Sequence, residues 1–366
     1  MYSVCSQLTE FMLNQIVLWL LALALAVWAI TFFALRGEDL SAFDQPAGQL
    51  FLNDAPPSRE HQAVAASLAG IADRLKDVPR SQHIALLRNY MDTLFAGEDI
   101  GAEVIPVKVA AIAAEWVLAP QVDPRRRLLY IHGGAYTMGS PTSHRRLTSK
   151  FSEVANAAVL AIDYRLMPEH PRLAGIQDCR SAYQWLLDNG PGGPAAATAV
   201  FVAGDSAGAN LTLSLIAWLR DQGLRAPNAA VALSPATDAS LGSPSLKSNI
   251  ETDPMLGPLF KSLARIPKSL LLWGAWFQNR MRPNNPLISP VFGDLRGLPP
   301  VLIHASEAEM LRDDARRYAN KATAAGSPVT LQTWKHMVHV WHIYHPDLAE
   351  GRQAFTEIAK FLKAAS

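Results

Sequence analysis

Apolar residues are spread unevenly along this chain, and their spacing divides it into three parts. Positions 16–35 read IVLWLLALALAVWAITFFAL, with no charge and one hydroxyl, at Thr31. At about 1.5 Å of rise per residue, such a helix spans roughly the 30 Å hydrocarbon core of a bilayer. The stretch therefore predicts a transmembrane anchor within residues 1–36. A secretory signal fits less well, because residues 1–15 hold no Lys or Arg and the run exceeds the roughly 7–15 apolar residues of such signals. A buried core helix would show polar punctuation on one side. The nearest basic residue, Arg36, lies on the carboxyl side, which favours a cytoplasmic position for the remainder of the chain.

Residues 37–57 carry Gly37, Pro46, Gly48 and the Pro56-Pro57 pair among small and acidic residues, a composition that predicts a linker. Folded structure is expected from Ser58. Val64, Leu68, Ile71 and Leu75 recur at helical spacing, and a second helical stretch runs over 81–95. These helices, within 58–100, precede the first expected strand and are candidates for a cap.

The third part, 101–366, alternates. Apolar runs at 128–132, 157–163, 199–203, 229–233, 300–305 and 329–334 read as strands, with helices at about 176–188, 207–221, 309–325 and 351–364. Such alternation predicts an α/β domain with a mostly parallel sheet covered on both faces. It breaks at an insertion near 253–290 containing Leu270, Leu271, Leu272, Trp273, Trp276 and Phe277. That segment is expected either to pack on the core or to act as a lid that lines a pocket or touches lipid.

Composition changes the picture little. Of 366 residues 49% are hydrophobic and 18% charged, and the 33 basic residues nearly cancel the 32 acidic ones, so no overall field recruits nucleic acid. Cys5 and Cys179 support neither a disulfide framework nor a metal site. No metal-ligand spacing or phosphate-binding glycine loop implies a cofactor. A homodimer stays open.

The chemistry lies at the strand ends. Strand 199–203 runs into Gly204-Asp205-Ser206-Ala207-Gly208, followed at once by an apolar helix. This G-x-S-x-G turn exposes a serine at the sheet edge and needs near side-chain-free neighbours two residues to either side. It also brings the Ala207 N–H to a helix start, where it can stabilise an oxyanion. Strand 128–132 ends in His132-Gly133-Gly134-Ala135-Tyr136, whose glycines let backbone N–H groups approach a carbonyl. Gly133 and Gly134 are the expected donors, with His132 a scaffold for the loop. In such a fold the order is serine, acid, histidine. His336, His339 and His342 all follow strand 329–334, and Glu307 or Glu309 lies nearest the end of 300–305. Asp313 and Asp314 are expected inside a helix and solvated.

YIHGGAYTMGS at 130–140, DYRLMPEHP at 163–171, GDSAGANL at 204–211 and MVHVWH at 337–342 together resemble the hormone-sensitive-lipase-like esterases, the bacterial lipolytic family IV of the α/β hydrolases, over about residues 125–364. The resemblance implies an α/β-hydrolase fold with a cap from the amino-terminal helices. It makes Ser206 the nucleophile, His339 the base and Glu309 its acid partner, with Glu307 or Asp313 as the other carboxylates in reach, and an oxyanion hole of Gly133, Gly134 and Ala207. It implies cofactor-free hydrolysis of small or medium acyl esters, lactones included, through an acyl-enzyme. A non-catalytic receptor on this fold, or a membrane scaffold docking through 270–277, is the competing expectation.

Overall fold

The computed structural model describes residues 2–51 and 57–365. Residues 1, 52–56 and 366, parts of the expected anchor, linker and α/β segment, lie outside the described residues. Helix α1 (Tyr2–Ile30) widens into a π-helical turn at Thr31–Leu35. The apolar window Phe11–Leu35 has a mean hydropathy of 2.6 and lies largely exposed, with Leu35 at its end buried. A helix that is apolar all round and unburied has no partner in water.

The remaining elements, in chain order, are β1 (Gln49–Phe51), α2 (Arg59–Leu75), α3 (His83–Thr93), β2 (Glu103–Val109), β3 (Ile112–Leu118), β4 (Asp123–Ile131), α4 (Arg145–Ala155), β5 (Ala157–Ile162) and α5 (Arg172–Asp188). A ribbon of β6 (Asn189–Gly190) and β7 (Gly193–Pro194) leads to β8 (Ala199–Asp205) and α6 (Ala207–Asp221). Then come β9 (Ala229–Leu233), α7 (Ser245–Ser248), α8 (Leu256–Phe260), α9 (Lys268–Asn279), β10 (Val301–Ser306), α10 (Arg312–Ala324), β11 (Val329–Trp334) and α11 (Ala349–Ala364). The main sheet runs β1-β11-β10-β9-β8-β4-β5-β3-β2. All neighbours are parallel except β3, which is antiparallel to β2 and β5.

The central strands are buried along their whole length, β5, β8, β9 and β10 at every residue. Helices cover both faces, so these strands read as continuous apolar runs and not as alternating ones. One core joins α5 and α6 to one face, and others join α4 and α11, and α6 and α10.

Two parts differ from the sequence expectation. Strands β2 and β3 fall outside the six expected strands; β2 is a half-exposed edge strand holding Pro106, tolerated where no ladder hydrogen bond is lost on the outer side. The expected linker is also not free over 38–51. Leu40 is buried, Asp44 pairs with Arg317 at 2.5 Å, and Asn320 Nδ2 donates to the Phe43 and Gln45 carbonyls. Beyond them β1 extends the sheet along β11, where Phe51 stacks on Trp334 at 4.4 Å.

Folded structure resumes at Ser58, the N-cap of α2, whose Oγ accepts from the His61 N–H at 3.1 Å. Helix α2 buries Leu68 and Ile71 against Met337, Val338 and Trp341 in the loop after β11. Helix α3 reaches the loop after β4. Arg88 donates to the Thr137 carbonyl at 2.7 Å and the Met167 carbonyl at 3.1 Å, and holds Glu169 with both Nη atoms.

Candidate active site

Four loops meet at the carboxyl edge of the sheet. The first is the β8–α6 turn, where Ser206 has φ 51° and ψ −114°, a region costly for a residue with a Cβ. Crowding imposes it. A Cβ at Gly204 would meet the Gly208 and Ile131 carbonyl oxygens at 2.6 Å, and one at Gly208 would come within 1.9 Å of the Ile131 oxygen. The Ser206 N–H donates to the Leu233 carbonyl at 2.7 Å, which pins the turn to β9.

The second loop follows β11. His339 Nε2 lies 2.9 Å from Ser206 Oγ. Val340, next in the chain, sits at φ 51°, and its N–H donates to Ser234 Oγ at 3.2 Å. The third loop follows β10: Glu309 Oε2 lies 2.5 Å from His339 Nδ1, and its Oε1 accepts from the Ser306 N–H at 2.7 Å. Asn249, at the end of α7, and Asp253, at the start of the insertion, brace this loop by donating to the Glu309 carbonyl and accepting from the Met310 N–H, each at 2.9 Å. Glu309 is wholly buried and His339 nearly so. Burial pulls the His339 imidazole down, but the hydrogen bond and charge of Glu309 outweigh it and leave the ring above its ordinary 6.5.

The competing carboxylates are engaged elsewhere. Glu307 pairs with Arg316 at 2.5 Å. Asp313 pairs with Arg312 at 2.8 Å and accepts from the Ser245 N–H at 2.9 Å. The expectation that Asp313 and Asp314 are solvated is corrected: both are buried. Asp314 accepts from the Thr237 and Asp238 N–H groups, because the loop after β9 folds over the start of α10. His336 is half-buried, and His342 is buried against His304, 3.0 Å away. Burial drives His342 far below the ordinary imidazole range, helped by the neighbouring His304 and His339.

The fourth loop follows β4. Gly134 takes φ +108°, where a Cβ would strike the Met138 carbonyl oxygen at 2.2 Å. The Gly133 N–H, expected to face an oxyanion, donates instead to Asp205 Oδ1 at 3.1 Å. Among the described residues the Gly134 and Ala135 N–H groups have no protein acceptor, and Ala207, first in α6, has no intrahelical one. His132 fits its expected scaffold position: its ring stacks on Tyr164 at 4.4 Å, Nδ1 lies 2.8 Å from the Gly133 carbonyl, and burial lowers it to about 3.

Sequence reasoning missed Asp205. Its carboxylate accepts from the Tyr130 hydroxyl at 2.7 Å and the Gly133 N–H, and lies 3.3 Å from His144 Nε2. Burial raises this carboxyl, but His144 and Tyr130 together hold it below the ordinary aspartate value. Its position between Gly204 and Ser206 was the available signal. Arg172 was also missed. Buried without a carboxylate partner among its described bonds, it lies 3.4 Å from the Tyr136 ring centroid and donates to Asn210 at 2.9 Å and Asn279 at 3.4 Å.

The chain is similar to known proteins over most of its length. Residues 128–343 match the α/β-hydrolase fold family. An acetyl-hydrolase of Streptomyces hygroscopicus is 42% identical over 71% of this chain and 82% of its own length. An esterase of Acinetobacter venetianus is 32% identical over 71% and 81%. The crystal structure of an esterase from the bacterial hormone-sensitive lipase family superposes with a TM-score of 0.71 and 32% identity, covering 85% of this chain and 99% of that one. The chain thus belongs to the hormone-sensitive-lipase-like esterases of the α/β-hydrolase fold and is a carboxylic ester hydrolase.

Proposed function

We propose that the chain is a serine carboxylesterase that cleaves small and medium acyl esters, lactones included, through an acyl-enzyme intermediate. The hydrogen-bonded series Ser206, His339, Glu309, with separations of 2.9 and 2.5 Å, carries the reading. His339 removes the Ser206 proton as Oγ attacks the ester carbonyl, and Glu309 holds the ring in the tautomer that leaves Nε2 free to accept. His339 then returns the proton to the departing alkoxide, and a water deacylates the serine by the same route.

The developing oxyanion is held by the N–H groups of Gly134 and Ala207, and Ala135 takes the place first expected of Gly133, whose N–H is committed to Asp205. Each such donor is worth about 10²–10³ in rate. A short acyl group agrees with the name acetyl-hydrolase carried by the Streptomyces relative.

The exposed apolar window Phe11–Leu35 supports a single-pass anchor, and Arg36 a catalytic domain on the cytoplasmic side. Helices α2 and α3 then serve as the cap over the site.

Hydrolysis of a p-nitrophenyl ester series by the detergent-solubilised full chain tests the reading. Activity should be highest on the shorter esters and vanish in Ser206→Ala. A folded Ser206→Ala protein as active as the parent, or an inactive parent, would instead favour a receptor or scaffold.

A further inference from the structure

The apolar helix enters the folded domain without slack. Leu35 is buried, Trp273 Nε1 donates to Thr31 Oγ1 at 2.8 Å, Asn284 Nδ2 donates to the Arg36 carbonyl at 2.9 Å, and a side chain at Gly37 would collide with the Phe292 ring. These contacts hold α9 level with the end of the span. The outward face of α9 is unpartnered: Leu270 is 62% and Phe277 71% exposed, with exposed Gly274 between them at the spacing of one helical face. Phe260, Leu263 and Ile266 continue the apolar surface upstream, and Phe32 and Phe33 of the span lie exposed at its other margin.

Charge completes the pattern. From Met255 to Pro283 the sequence has no Asp or Glu but contains Lys261, Arg265, Lys268, Arg280 and Arg282, in a chain whose total charge is +1. Lys261 is paired, with Glu251. A broad apolar patch with basic residues around it, continuous with a lipid-spanning helix, has the chemistry of an interfacial membrane helix and not of a water-facing one.

We propose that the α8–α9 face is a membrane-seating surface, lying in the headgroup layer of an anionic bilayer beside the span. The proposal rests on the reading of 11–35 as a membrane helix, and it assigns the insertion a lipid-contacting role that the ester chemistry does not require.

The test uses the full chain in lipid nanodiscs, with Cys5 replaced by Ala and an environment-sensitive fluorophore on Gly274→Cys. Leu21→Cys, in the span, and Gly192→Cys, in the exposed β6–β7 turn where a Cβ meets nothing within 4 Å, carry the same fluorophore. In bilayers containing phosphatidylglycerol and lipid spin-labelled near the headgroup, the Gly274 label should be blue-shifted and quenched and the Gly192 label neither. Leu270→Asp with Phe277→Asp should abolish the Gly274 quenching and leave the Leu21 signal, read with acyl-chain quenchers, intact.

Quenching at Leu21 without quenching at Gly274 would overturn the seating surface alone. Absence of both would overturn it together with the span. Equal quenching in purely neutral lipid would overturn the assignment to anionic lipid.

Discussion

The carboxyl edge of the sheet and the amino-terminal hundred residues solve the burial problem in opposite ways. At the edge, Ser206, Glu309 and His339 stand on loops whose neighbours are fixed by backbone collisions and buried hydrogen bonds. In the amino-terminal region, the apolar residues of α1 from Phe11 to Ile30 stay unburied, and α2 and α3 present only one stripe each to the domain. The edge thus carries its geometry internally, whereas the amino-terminal elements gain a defined position from what they lie against. Reactivity should accordingly be lost by small changes at the edge, and only tuned by changes in the helices above it.

The sharpest break is at the nucleophile. Ser206→Ala and His339→Ala should each lower kcat by about 10⁴–10⁶-fold with an unchanged circular dichroism spectrum. Glu309→Gln should cost about 10³–10⁴-fold, since the ring loses both orientation and the charge that stabilises its protonated form. The same variant makes a directional pH test. The base must be neutral to act, and Glu309 holds His339 above 6.5, so wild-type kcat/KM should rise through an apparent pKa above that value. In Glu309→Gln that limb should move to lower pH.

Smaller effects are expected from the helices. Leu68→Ala empties a buried site against the His339 loop and should destabilise the protein by about 2–5 kcal/mol in denaturant titration, with activity lost at lower denaturant than the bulk of the structure. Arg88→Met removes the donors to the Thr137 and Met167 carbonyls beside the oxyanion loop, and should reduce kcat about tenfold with KM little changed. A loss as large as that of Ser206→Ala would contradict the division drawn between the two regions.

The same division governs what could be read from sequence. The six expected strands are all present as parallel strands of the main sheet, four of them buried at every residue, and the serine turn was legible from a local steric need for glycine. Strand β1, three residues in a Gly- and Pro-rich stretch, exists only because β11 offers an unpaired edge, a partner nearly three hundred positions away. Burial of Asp313 and Asp314 depends on N–H groups from 237–245, which no local pattern announces. The choice of Glu309 over Glu307 likewise turns on Arg316, nine positions beyond Glu307 in α10. That the Gly133 N–H donates to a side chain required knowing where the Asp205 carboxylate points.

That carboxylate has a mechanical meaning. Asp205 belongs to the same turn as Ser206, yet it grips the loop after β4 through Gly133 and the end of β4 through Tyr130. On the proposed mechanism, the attacking oxygen and the loop that receives the negative charge are therefore tied together through one buried carboxylate. A displacement of either loop strains a bond to Asp205, so the carboxylate acts as a spacer between the proposed points of attack and of charge capture.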